Sequence, residues 1–124
     1  LAMRGVGHPI LATDAMPPVG GARSSFTLAG ETIAVRDGRC VRQKDGALAG
    51  ARLDMAGAVR NCVQLLGVPL TDALRFASAN PAEFLGLGQK LGKLAPGFRA
   101  DMVAFRGHTI EVLETWVAGA GLAN

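Results

Sequence analysis

Tyrosine is absent, aromatics make up only 5% of the 124 residues, and no apolar run approaches the ~18 residues that a membrane-spanning helix needs. Insertion through such a helix is excluded. Basic residues exceed acidic ones by only 13 to 10, and a nucleic-acid surface would show both a denser positive footprint and more aromatics. Cys40 and Cys62 form no CxxC pair and are too few for a disulfide-stapled secreted domain, so a reducing, cytoplasmic setting is expected. Leu1 is followed by neither a charged n-region nor an apolar h-region, and the chain is expected to begin inside a longer protein. With 49% hydrophobic and 19% charged residues, the composition is that of an ordered globular domain.

Glycine, by contrast, is abundant at 17 residues, and its scatter predicts tight turns between short elements. Residues 9–13 (PILAT) read as a short strand buried on both faces, with residues 1–4 ending a preceding helix. AMPPVGGARSS after Asp14 reads as an irregular loop. Residues 26–41 alternate like a meander with turns at Gly30-Glu31 and at Asp37-Gly38, the second placing Val35 opposite Cys40. Asp45-Gly46 ends this region.

Residues 55–66 carry a helical pattern. Met55, Ala58, Val59, Cys62, Val63 and Leu66 form its apolar face, Gly57, Arg60, Asn61 and Gln64 the other, and Gly67 and Pro69 stop it. A second helix, capped near Thr71 with Asp72 in its first turn, runs to Asn80 and buries Leu74, Phe76 and Ala77. Pro81 suits the first turn of a third, closed by Gly86. Residues 91–94, 102–105 and 109–117 read as strands, the first two joined through Pro96-Gly97 as the centre of a type II turn.

Few side chains can make or break bonds. His8 and His108 stand apart from each other and from any HxH or HExxH pattern, which favours solvated loop histidines over metal ligands. Ser24-Ser25 has no local histidine and no GxSxG elbow, and Cys62 falls on an apolar helix face as core filler. Arg36, Arg39, Arg42 and Lys44 could attract a phosphate, but a hairpin's outer face is ordinarily just solvated. Asp101, between a turn and a strand, suits a turn-stabilising acceptor. Asp14 is different: it ends a predicted strand and opens onto a Pro/Gly loop, the place where α/β folds put catalytic groups. A turn-forming aspartate is the competing reading there.

The wording of the chain adds a resemblance. ILATDAMPPVG, DGRCVRQKDGALAG, LDMAGAVRNCV, ALRFASANPAEFLGL and LGKLAPGFRADMVAF together resemble the C-terminal part of the N-acetylglucosamine-6-phosphate deacetylase family, within the amidohydrolase superfamily. The last section is shared widely across that superfamily, whereas TDAMPPVG and the DGxLAG segment point to the deacetylases. The resemblance implies an α/β fold: the C-terminal portion of a (β/α)8 TIM barrel over residues 1–90, with residues 91–124 supplying C-terminal strands to a small β-sandwich.

It further implies hydrolysis of N-acetylglucosamine 6-phosphate to glucosamine 6-phosphate and acetate, with a divalent metal, commonly zinc, whose ligands lie upstream of this chain, as do the phosphate-binding residues. Asp14 matches the family's catalytic aspartate, acting as base and then acid. Leu48, Ala49 and Gly50 match its substrate-binding GxLxG loop, with Ala47 and Ala51 where Thr and Ser are common. The implied partner is a small amino-sugar phosphate, with no nucleic acid and no membrane, and dimers are common in the family. Two rivals stay open: another amidohydrolase acting on a cyclic amide or a different N-acyl sugar, and a non-catalytic remnant or interaction module.

Overall fold

Three two-residue turns with both central residues at positive φ shape the strands of this chain, whose computed structural model describes residues 9–107 and 109–122. They are Ala29-Gly30, Asp37-Gly38 and Ala118-Gly119, each in the doubly left-handed conformation of a type I′ hairpin, whose twist matches that of the flanking strands. The expected helix end at 1–4, His8 and His108 lie outside the described residues. Those described form two compact units, one of residues 12–55 and one of 9–11 with 56–122.

The first unit holds an antiparallel sheet of order β1-β2-β3-β4, with β1 Ser25–Leu28, β2 Glu31–Arg36, β3 Arg39–Arg42 and β4 Leu48–Ala51. Val35 pairs with Cys40, as Asp37-Gly38 requires. The preceding turn is Ala29-Gly30 and not Gly30-Glu31, because Leu28 pairs with Glu31 and leaves those two residues between the strands. Ile33 and Cys40 are buried here. The DGxLAG segment is only partly a loop. Gly46 donates to the Arg42 carbonyl at 2.8 Å and Ala47 to the Asp45 carboxylate at 3.0 Å, and this turn launches Leu48–Ala51 as a strand against β3. Cys40 pairs with Gly50 but Val41 with Leu48, so Ala49 is the extra residue of a β-bulge.

The second unit contains α1 Met55–Leu66, α2 Leu70–Ala77 and α3 Ala79–Phe84, then a sheet of order β5-β6-β7 with β5 Met102–Arg106, β6 Glu111–Val117 and β7 Ala120–Leu122. Its core gathers Val59, Cys62, Val68, Ala73, Phe76 and Ile110. The inward face of α1 is rotated from the expected one, since Gly57 is buried while Met55 and Leu66 are exposed. Gly67 stops α1 at φ +65°, with Val68 donating back to the Cys62 carbonyl. Helix α2 starts after Pro69 without a side-chain cap and ends at Ala77, short of Asn80, where the Ser78 hydroxyl donates to the Leu74 carbonyl. Pro96-Gly97 is the expected turn, with Phe98 donating to the Ala95 carbonyl and Gly97 at φ +85°.

Two expected strands are not formed. Residues 91–94 coil instead: Leu91 donates to the Leu87 carbonyl, and Gly92, at φ +84°, packs so closely that a Cβ there would lie 2.9 Å from Ala79 Cα at the start of α3. Residues 9–13 belong to no ladder either, because the Leu11 N–H is taken by the Phe76 carbonyl of α2 at 2.9 Å. Their exposure alternates, with Ile10 and Ala12 outward, which is not the pattern of a strand covered on both faces. Strand β6 starts at Glu111, after a turn in which the Thr109 and Ile110 N–H groups donate to the Arg106 carbonyl, while the Thr109 and Ile110 carbonyls accept from Nε and Nη2 of Arg60. Strand β7 was not expected, since Ala-Gly is a weaker turn signal than Asp-Gly.

Candidate active site around Asp14

Asp14 is exposed and stands at φ +51°, in the left-handed region that Asp tolerates better than most side chains. Short bonds inside residues 12–55 hold it there. The Ala51 N–H donates to the Asp14 carbonyl at 2.8 Å, and the Met16 N–H donates to the Ala51 carbonyl at 3.0 Å, which makes Ala15 and Ala51 a parallel bridge. On the other side the Ala15 N–H donates to the Thr13 hydroxyl at 3.2 Å. The segment carrying Asp14 is thus attached to the end of β4.

That attachment depends on Gly50. It is buried at φ +141°, and a Cβ there would lie 2.5 Å from Met16 Cε and 3.1 Å from the Asp14 carbonyl oxygen. The side-chain clash could be relieved by moving Met16, but the backbone contact and the dihedral could not, and such conformations cost a non-glycine residue about 1–3 kcal/mol. So the structure brings together Asp14 and Gly50, two of the residues singled out from sequence. Ala49 is half-buried at the bulge and Leu48 is 70% exposed. Bulges beside active sites commonly re-aim a strand's side chains. Thr13 and Met16 escaped the sequence reading. A threonine directly before Asp-Ala, with its hydroxyl two residues from an N–H, was the available signal for the first.

The remaining candidates are structural. Arg42 pairs with Asp45 at 2.9 Å and with Glu31 at 3.5 Å, and Lys44 also bonds Glu31, so half of the basic cluster is compensated within the sheet. The hydrogen bond from Lys44 chiefly, then the nearby charges of Lys44 and Arg42, hold the Glu31 carboxyl below its ordinary range. Asp101 accepts the Ala118 N–H at 2.8 Å and pairs with Arg99 at 3.0 Å, the turn-stabilising role expected of it. Cys62 is buried in the core beside Val59 and Phe76. Ser24 lies in a bend and Ser25 opens β1. Among the described residues no three of His, Cys, Asp and Glu come together as a metal site, and Asp14 alone does not make one.

The comparisons with known proteins agree over most of the chain. The model of the amidohydrolase family matches residues 22–121. A putative N-acetylgalactosamine-6-phosphate deacetylase of Escherichia coli K12 is 41% identical over 110 residues, covering 89% of this chain and 65% of that protein. The N-acetylglucosamine-6-phosphate deacetylase of Haemophilus influenzae is 33% identical over 100 residues, covering 81% of this chain and 26% of the relative. The crystal structure of N-acetylglucosamine-6-phosphate deacetylase from Pasteurella multocida overlays with a TM-score of 0.86 at 38% identity, over 93% of this chain and 30% of that one. The chain therefore spans less than two thirds of each of these proteins. The family match across residues 22–121, with these identities, leads to one conclusion: the chain belongs to the amidohydrolase family.

Proposed function

We propose that this chain is a segment of an N-acetylglucosamine-6-phosphate deacetylase, hydrolysing N-acetylglucosamine 6-phosphate to glucosamine 6-phosphate and acetate. In this reading residues 1–90 are the C-terminal part of a (β/α)8 barrel and residues 91–124 supply strands to a β-sandwich. The observation that carries it is the attachment of Asp14 to Ala51 at the end of β4, a close approach that Gly50 permits, inside a chain that overlays on the Pasteurella multocida enzyme at a TM-score of 0.86. The other two motif residues, Leu48 and Ala49, precede Gly50 on the bulged strand and would form the sugar-facing surface.

Asp14 supplies proton transfer. An amide carbonyl resists attack and its nitrogen leaves poorly, so a carboxylate that takes a proton from the attacking water and returns it to the departing nitrogen assists both halves of the reaction. The water oxygen bonds to the acetyl carbon, the C–N bond breaks, and the nitrogen leaves as the free amine. The family implies a divalent metal, zinc in this reading, but the described residues do not fit one, and the steps assigned here belong to Asp14 alone. Both cysteines are free and buried, which supports a reducing, cytoplasmic setting. The enzyme would act there as a homodimer on a small amino-sugar phosphate.

A second reading concerns the sugar. Three relatives at 40–41% identity over 110–116 residues carry N-acetylgalactosamine 6-phosphate in their names, whereas the relatives and the Pasteurella multocida structure named for the glucosamine substrate lie at 31–38%. The two substrates differ only in the configuration of the C4 hydroxyl. Acetate release by the complete protein from each epimer tests both readings. Preference for the glucosamine form supports the first, preference for the galactosamine form the second, and turnover of neither returns the chain to another amidohydrolase reaction or a non-catalytic role.

A further inference from the structure

Asp14 carries its carboxylate on a backbone whose sign of φ decides where that carboxylate points. At φ +51° the Cα–Cβ bond leaves the chain in one direction; at an ordinary negative φ it would leave in another, and the carboxylate would move with it. Two neighbours bear on this choice. The Thr13 hydroxyl accepts the N–H of Ala15, the peptide immediately after Asp14, and so opposes its rotation. Gly50, having no side chain, lets the end of β4 approach until the Ala51 N–H reaches the Asp14 carbonyl, the peptide on which the same rotation acts.

We propose that Thr13 and Gly50 are positioning residues that hold Asp14 in its left-handed conformation and thereby aim its carboxylate. The proposal rests on the reading of Asp14 as the proton-transferring group. It assigns Gly50 a part that differs from sugar contact, because its effect reaches the reaction through Asp14 and appears in turnover and not in substrate binding. Catalytic groups tolerate little displacement: about 1 Å can cost on the order of 100-fold in rate.

The test is steady-state kinetics of the complete protein with N-acetylglucosamine 6-phosphate, using Thr13→Val, Thr13→Ser, Gly50→Ala and Asp14→Asn, with thermal melts to establish folding. Valine keeps the threonine shape without the acceptor, and serine restores the acceptor. The expected result is a kcat lowered on the order of 10- to 100-fold in Thr13→Val and Gly50→Ala with KM little changed. Thr13→Ser should recover most of the loss. A Thr13→Val enzyme of normal kcat, beside an inactive Asp14→Asn, overturns the positioning role and leaves the reading of Asp14 standing. Normal turnover of Asp14→Asn overturns that reading itself and the proposal with it. If Gly50→Ala raises KM at unchanged kcat, Gly50 is a sugar contact and its positioning role is overturned. Failure of both Thr13→Val and Gly50→Ala to fold also overturns the proposal, by assigning the pair to fold maintenance.

Discussion

At Asp14 a single dihedral separates a surface aspartate from a candidate catalytic one, and substitution can separate its shape from its chemistry. Asn keeps the side-chain shape and tolerates the left-handed region, so Asp14→Asn in the complete protein should remove most turnover while KM stays near its original value. A kcat within about twofold of the parent would exclude Asp14 from proton transfer. Glu31 makes a different kind of prediction. Its carboxyl titrates below the ordinary range because Lys44 bonds it, and a folded-state value lower than the unfolded one stabilises the fold above the unfolded value. That contribution is lost as pH falls through the lower, folded value. Melting temperatures followed downward from neutral pH should therefore fall less steeply for Glu31→Gln than for the parent. Added salt should shrink the difference, since these charges face solvent.

Among the elements, the three type I′ hairpins show how turn chemistry was read and misread. Asp37-Gly38 combines a side chain that accepts positive φ with glycine, and β2 and β3 paired in the register it dictates. Ala29 and Ala118 hold the same conformation, at φ +49° and +52°, without a side chain that favours it. Ala29→Asn should therefore stabilise the fold by about 0.5–1 kcal/mol, seen as a raised urea midpoint, because Asn-Gly is preferred where both residues need positive φ. A lowered midpoint would show that Ala29 is held by something other than the turn. Strand β4 illustrates the opposite difficulty. LAGA has little β propensity, and what makes it a strand is its partner β3 together with the Asx turn at Asp45-Gly46.

For the whole molecule, the question is what these residues can do by themselves. Catalytic zinc sites use about three protein ligands with a position left for water, and no such group exists among the described residues. The isolated 124-residue chain should therefore release no acetate from N-acetylglucosamine 6-phosphate and should retain no stoichiometric zinc after dialysis. Its surface carries Leu65 at 75% exposure, Phe84 at 80% and Leu94 at 77%, and apolar groups left to water in this way favour self-association. Light scattering on the same preparation should show species larger than a monomer. Zinc at one equivalent with measurable turnover would require a self-sufficient centre and would reverse the fragment reading.

The amino-acid sequence alone determined the helix over Met55–Leu66 and its glycine stop, the Asp37-Gly38 register and the Pro96-Gly97 turn, since each rests on interactions among residues close along the chain. It also singled out Asp14 and Gly50 separately, by their motifs. Only the tertiary structure decided that Ala51, thirty-seven positions after Asp14, closes on its carbonyl, that Met16 fills the space a side chain at 50 would need, and that Leu11 bonds to a helix carbonyl and not to a neighbouring strand. No local pattern encodes such choices. They depend on which distant backbone groups remain unpaired once nearer bonds have formed, and on where the lack of a Cβ lets two segments approach.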